Sequence, residues 1–267
     1  MTRFARRGLS RLVGWATDRR VPRFLRGTVY GGFARYAGAD LSEVRLAIDD
    51  FPSLGAFFIR ELKAGSRPID PHPDALVSPV DGTIQTVCAI EQGTVLQAKG
   101  RSYPVAELCG GLEQGLELEG GSAWTVYLSP RDYHRIHAPI AARLDAARWI
   151  DGERFSVAPK VLDRRRVLDV NERCVLRLES ARGTFLLVLV GALNVGRIRV
   201  VGVQPSYAPQ PVRPGSRFER GAELARFEMG STIVLIAPRG VASPTASLAS
   251  GQGVRLGARI GNLLGRA

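Results

Sequence analysis

From Leu76 onward the sequence is a succession of short apolar runs, each closed by glycine, proline or charge, and this constrains the fold more than any other feature. Segments this short suit strands better than helices, which need ten or more residues to bury a face. Residues 83–87, 95–98, 124–128, 175–178, 185–190 and 197–203 read as strands. Two further strand-like runs flank a Gly-Ser-Thr triplet at 230–232. Near the end, Val254, Leu256, Ala258 and Ile260 alternate with Arg255 and Arg259, which predicts one more strand with a wet face. The expected class is α+β, mainly β: amphipathic helices at the N-terminus, then a β-rich sandwich or barrel-like domain.

The first 35 residues differ in kind. They hold nine arginines against the single acid Asp18, so +8 of the chain's +12 charge is concentrated there. Leu9, Leu12, Val13 and Ala16 recur at helical spacing with Arg11 and Arg19 elsewhere on the wheel and Trp15 at the apolar edge. That pattern predicts a basic helix lying in a membrane surface, drawn there by roughly 1 kcal/mol per basic residue. Packing on the chain's own core is the plainer alternative. Nucleic-acid binding is a weaker one, because no binding module is recognisable. Pro22 ends this helix, and a second segment runs to Gly38. Leu41, Val44, Ala47 and Ile48 form another helical stripe, and Ser53 is placed to cap a helix carrying Leu54, Phe57, Phe58 and Leu62. Residues 1–66 are thus expected to be a helical membrane-association region and 67–267 a β-rich catalytic domain.

No segment reaches the roughly 20 apolar residues of a spanning helix, and the N-terminus lacks the apolar core of a signal peptide. Cys88, Cys109 and Cys174 are an odd set without a close pair, so neither a disulfide framework nor a metal site is expected. A reducing, cytoplasmic compartment fits them.

Three stretches carry chemistry. Gly230 leaves its carbonyl carbon open to the hydroxyl of Ser231. Two of the three histidines, His134 and His137, stand three apart within Leu-Ser-Pro-Arg-Asp-Tyr-His-Arg-Ile-His-Ala-Pro, and Asp81 sits at a turn in Pro-Val-Asp-Gly-Thr-Ile. Nucleophile, base and carboxylate are the parts of a triad, although no spacing rule makes them meet. His72, between Pro71 and Pro73, reads as a loop residue. The glycine-punctuated strands before Glu228 echo lipoyl-type carriers, but no lysine stands at the hairpin tip. A serine hydrolase would want Gly-x-Ser-x-Gly, which Met229-Gly230-Ser231-Thr232-Ile233 does not supply. A pyridoxal enzyme would need a Schiff-base lysine with a phosphate loop, which is not evident.

In order, Pro-Val-Asp-Gly-Thr-Ile, Val-Leu-Gln-Ala-Lys-Gly, the two-histidine stretch, Phe-Ser-Val, Asn-Glu-Arg, Leu-Val-Gly-Ala and Arg-Phe-Glu-Met-Gly-Ser-Thr-Ile resemble the phosphatidylserine decarboxylases from about Phe51 to about Pro238. Met229 stands where the bacterial family usually has leucine, a swap of similar volume. The resemblance implies a membrane-associated, pyruvoyl-dependent enzyme that cuts itself between Gly230 and Ser231. The products would be a β chain of 1–230 and an α chain of 231–267, which stay together as a heterodimer, alone or paired again into a homodimer. It implies that Asp81 orients His137, that His137 takes the proton of Ser231, and that residue 231 becomes the pyruvoyl group, the Schiff-base site for the lipid's amine. His134 would serve decarboxylation, with Ser156 near the substrate and Arg131, Asp132 and Arg135 as a structural charge cluster. The expected partners are phosphatidylserine and an anionic membrane surface, not nucleic acid, at the cytoplasmic side of the inner membrane. The alternative is a membrane-associated β-domain protein that keeps the motifs without the chemistry.

Overall fold

The computed structural model describes residues 3–98, 101–192, 197–228 and 231–265. Helices α1 (Arg3–Asp18) and α2 (Arg23–Ala37) open the chain, separated by Pro22, and Gly38 closes α2 in the left-handed region at φ 76°. Glycine reaches that conformation without a Cβ penalty, so the backbone N–H of Gly38 turns back to Ala34 and Arg35. The short helix α3 (Leu54–Phe58) begins where Ser53 Oγ accepts the N–H of Ala56 at 3.1 Å. The cap expected at Ser53 is therefore present.

The helix expected over residues 40–48 is not. The chain makes one turn from Leu41 to Val44 and a 3-10 helix at Ile48–Asp50, while Val44 bridges Leu62 in extended pairing. Arg45 N–H reaches Glu61 O and Lys63 N–H reaches Glu43 O, so backbone pairing takes the place of helical bonds. Val44 joins Tyr30, Ala34, Phe51 and Phe57 in a small core beneath the helices, with the Tyr30 and Phe57 rings stacked at 5.5 Å. Leu62 belongs to the bridge and not to α3.

The strands follow as β1 (Ala75–Val77), β2 (Gly82–Ala89), β3 (Thr94–Ala98), β4 (Arg101–Pro104), β5 (Ser122–Leu128), β6 (Arg135–His137), β7 (Ala142–Ile150) and β8 (Arg173–Ser180). The rest are β9 (Gly183–Val190), β10 (Ile198–Val200), β11 (Arg217–Phe218), β12 (Glu223–Phe227), β13 (Ser231–Ala237), β14 (Ala242–Pro244), β15 (Gly253–Val254) and β16 (Arg259–Leu263). Eight of them form one antiparallel sheet in the order β11-β7-β8-β9-β13-β5-β2-β15. Its two faces bury separate cores, one around Trp124, Leu128 and Phe227, the other around Tyr103, Val188 and Ile236. Two three-stranded sheets, β1-β16-β14 and β10-β12-β6, complete the first of these cores. The chain is mainly β with helices at its N-terminus, as expected.

Two strand expectations change. Residues 254–260 do not form one strand: β15 pairs with β2, the chain turns at Gly257 (φ +85°), and β16 runs between β1 and β14. A Cβ on Gly257 would lie 2.5 Å from Pro68 O, so the turn needs glycine on steric grounds as well. Residues 197–203 shorten to β10. Strand β7 was not anticipated, since Ala-Arg-Leu-Asp-Ala-Ala-Arg-Trp-Ile has few β-branched residues, yet it makes a full ladder with β8.

Candidate active site

Strand β13 is interior to the large sheet, bonded to β5 on one side and β9 on the other. Its first residue is Ser231, paired with Leu128, and side-chain alternation puts Ser231 on the face of Ile233 and Leu235. The small β10-β12-β6 sheet packs on that same face through Ile136, Ile198 and Phe227. β12 ends at Phe227, whose N–H bonds His134 O at 3.0 Å. The chain thus passes from a strand beside His134 in one sheet to Ser231 in another. Met229 and Gly230, and with Gly230 the expected cleavage junction, lie outside the described residues.

Ser231 is 0% exposed and its Oγ has no hydrogen-bond partner among the described residues. His134 is likewise 0% exposed. Its Nδ1 sits 2.8 Å from Asp132 O, while its Nε2 has no partner among the described residues. A carbonyl only accepts, so Nδ1 carries the proton and Nε2 a lone pair. Leaving a buried polar atom bare costs about 1–3 kcal/mol. Ser231 Oγ and His134 Nε2 are two of several such buried atoms, and they are the two that belong to the residues singled out by the sequence. Burial pushes the imidazole of His134 down to about 3, with the Arg60 guanidinium acting in the same direction.

His137 differs. Its Nδ1 donates to Gly221 O at 2.8 Å, and its Nε2 accepts from Tyr133 OH at 3.3 Å. Gly221 holds φ +84°, and a Cβ there would meet Ile69 Cδ1 at 2.8 Å, so the carbonyl that orients His137 depends on a glycine. Burial lowers the pKa of His137 as well.

Asp81 is close in the chain path but turned elsewhere. The N–H of His137 bonds Pro79 O at 2.8 Å, which ties the Pro-Val-Asp-Gly segment to β6. The Asp81 carboxylate, however, takes the fork of Arg67, with Nε to Oδ1 at 2.9 Å and Nη2 to Oδ2 at 2.6 Å, and also the N–H of Leu256 at 2.8 Å. Arg67 in turn pairs with Glu43. The Asp81–His137 hydrogen bond expected from the sequence is not made in this structure, because a bidentate guanidinium claims the carboxylate first.

Ser156 Oγ accepts the N–H of Ala158 at 3.3 Å. Its segment is placed by the buried Asn171, whose Nδ2 donates to Phe155 O (2.9 Å) and Gly191 O (2.8 Å) and whose Oδ1 accepts from Phe155 N–H (3.0 Å). Gly191 follows Val190, the partner of Thr232. Asn171 therefore moors the Ser156 segment beside the Ser231 end of β13. Asp132 accepts from Ser129 N and Oγ, and Arg135 pairs with Glu61 and Glu223, so these charges are engaged within the fold.

The phosphatidylserine decarboxylase family matches residues 54–262. The chain belongs to the phosphatidylserine decarboxylase family. It is 39% identical to the phosphatidylserine decarboxylase proenzyme of Methylococcus capsulatus, over 96% of this chain and 92% of that protein. It is 40% identical to the proenzyme of Myxococcus xanthus, over 95% and 93%. The proenzyme of Pseudomonas aeruginosa is also 40% identical, over 88% and 86%. In this phosphatidylserine decarboxylase family member, Arg60, Arg67, Tyr133, Asn171 and Gly221 are the site neighbours that sequence reasoning passed over. Two of them carried a signal: Asn171 as the first residue of the Asn-Glu-Arg match and Tyr133 within the two-histidine stretch.

Proposed function

We propose that the chain is made as an inactive precursor, cuts itself between Gly230 and Ser231, and then converts phosphatidylserine to phosphatidylethanolamine and carbon dioxide. The observation that carries this reading is the buried, unpartnered hydroxyl of Ser231 at the head of an interior strand, in a chain of this family. As a member of that family the chain is an enzyme, a decarboxylase.

In the cleavage step His137, oriented by Asp81, takes the Ser231 proton, and the alkoxide attacks the Gly230 carbonyl to give an ester. Elimination across the α and β carbons of residue 231 releases 1–230 with a new carboxylate. Hydrolysis of the residue left at 231 frees ammonia and leaves a pyruvoyl cap. This assignment requires His137 to exchange Tyr133 for Ser231, and Asp81 to exchange Arg67 for His137. Ser231 fits as the source of the cap, since a hydroxyl buried without a partner has no structural task to lose. The pyruvoyl ketone supplies an electron sink for the pair released when the carboxylate departs. His134 holds that carboxylate or handles the proton, and Ser156 lies near the substrate. β12 stays bonded to β6 and β10, and β13 to β5 and β9, so both products of the cut remain in the fold. Ser231→Ala is expected to run as one band on a denaturing gel and to release no carbon dioxide from phosphatidylserine vesicles. A processed, active Ser231→Ala chain would refute the reading.

The N-terminal helices provide the approach to a lipid headgroup. Among the described residues no helix is long and apolar enough to cross a membrane. α1 and α2 nevertheless expose Leu12, Trp15, Phe24 (83%), Val29 and Tyr36 (92%). With nine arginines in the same 35 residues, this is the composition of a helix pair that lies in an anionic interface. We place the protein at the cytoplasmic face of the inner membrane as a peripheral enzyme. A chain lacking residues 1–35 should lose flotation with anionic vesicles, and unchanged flotation would reject the anchor.

A further inference from the structure

The segment after α3 clamps the loop that carries His134. The Phe58 ring lies against the His134 ring at 4.1 Å between centroids, Ile59 O accepts Arg135 Nε at 3.0 Å, and Arg60 Nη2 donates to Arg131 O at 2.8 Å. The same Nη2 stands 3.5 Å from Asp132 O, the carbonyl that also accepts His134 Nδ1. A guanidinium and an imidazole thus converge on one oxygen.

Arg60 is 3% exposed, and among the described residues its Nε and Nη1 have no hydrogen-bond partner and no carboxylate forms an ion pair with it. Burying a charge outside an ion pair costs several kcal/mol, and the carboxylates of Asp81 and Asp132 offset only part of this from a distance. The Phe57 ring, 5.4 Å from the guanidinium carbon, offsets part of that cost. Three carbonyl and ring contacts would be met as well by an uncharged side chain, so the charge itself needs a reason.

We propose that Arg60 is a positioning residue for His134: it pins the loop that holds this histidine and keeps the ring neutral, with the Nε2 lone pair free to accept a hydrogen bond from the substrate's ammonium. This rests on the reading of His134 as the group that acts in decarboxylation. Phosphatidylserine arrives as an ammonium, whose nitrogen has no lone pair until a proton leaves. Nε2 accepts a hydrogen bond from that ammonium and aligns its nitrogen with the ketone. The ammonium proton is lost to solvent, and after carbon dioxide departs solvent supplies one proton to the α-carbon and one to the amine freed by hydrolysis, so the cycle takes up one proton overall. A histidine already charged could not begin the cycle. Other charges near it are engaged elsewhere: Asp132 with Ser129, Arg135 with Glu61 and Glu223, Asp81 with Arg67, and Glu228, beyond the facing strand β12, with Arg197. Among the described residues Arg60 is the cation acting on the ring, and its field works with burial, against the bond to the Asp132 carbonyl, to oppose a second proton.

The test is nitrogen NMR of full-length protein labelled in its three histidines, with His134 assigned by its absence in His134→Gln, alongside the pH profile of kcat/KM. Wild-type His134 should show the Nδ1-protonated tautomer without titrating down to about pH 5. In Arg60→Met its titration should rise by about one unit or more, and the acid limb of kcat/KM should move up with it. Arg60→Lys keeps the charge but not the fork, so the titration should stay within a few tenths of a unit while kcat falls roughly tenfold. The proposal is overturned if Arg60→Met leaves both the resonance and the acid limb in place, or if Arg60→Lys shifts them as far as Arg60→Met. Should Arg60→Met fail to fold, the wild-type spectrum decides, because a charged or Nε2-protonated His134 at neutral pH is incompatible with it. Undiminished decarboxylation by His134→Gln would instead remove the reading on which the proposal rests, whatever the NMR shows.

Discussion

The surroundings of His134 and His137 are opposites. His134 is sealed, its ring pressed on Phe58, with one nitrogen bonded and the other bare. His137 is partly open, with Gly221 on one nitrogen and Tyr133 on the other, beside a cavity it shares with Glu61, Arg135 and Glu223. The two stand three positions apart, His134 just before β6 and His137 at its end, and along an extended chain that offset turns the rings to opposite sides. A pair that looks redundant in sequence is therefore two imidazoles in distinct states. Among the described residues one keeps a bare nitrogen. The other has both ring nitrogens engaged.

The sharpest way to break this contrast is to remove each histidine in turn. His137→Ala is expected to leave the chain uncleaved and therefore inactive, visible as a single band on a denaturing gel. His134→Ala should still be cut into two chains but decarboxylate roughly 10²–10⁴-fold more slowly, the usual contribution of a positioned acid or base. An uncleaved His134→Ala together with a cleaved His137→Ala would invert the assignment.

A smaller effect follows from proton linkage. Unfolded, each histidine takes up a proton near 6.5, whereas burial in the fold lowers both values, that of His134 to about 3. The unfolded state thus binds more protons as the pH drops. Stability is complete above about pH 6.5 and is lost toward pH 3, at up to about 1.4 kcal/mol per pH unit for one such group. Urea titrations between these limits should show a shallower acid slope for His134→Gln than for the parent. Equal slopes would mean that His134 is charged in the folded protein.

Much of this architecture was legible before any coordinates. Strands β2, β3, β5, β8 and β9 follow from apolar runs whose flanking glycines and charges leave no room for a helix. The cap at Ser53 and the break at Pro22 follow from local chemistry. Where reading failed, long-range pairing had overridden local preference. The stripe of Leu41, Val44, Ala47 and Ile48 suits a helix, yet Val44 is drawn into a bridge with Leu62. The alternation from Val254 to Ile260 suits one strand, yet Gly257 divides it between two sheets. At the site, Ser231, His134, His137 and Asp81 were found by residue type, but their present partners were not. Arg67 is 14 residues from Asp81 in sequence, and Gly221 is 84 from His137. Nothing local announces such pairs, because the fold alone brings them together. Arg60 was hidden for a further reason: a buried, unpaired arginine has the same letter as a solvated one.

The most direct test of the central claim is the intact mass of the freshly purified protein. Two chains divided between Gly230 and Ser231 are predicted, the smaller of them carrying a keto-acyl cap in place of an amino-terminal serine. A single chain of 28.9 kDa, or a smaller chain that begins with an ordinary serine amine, would contradict it.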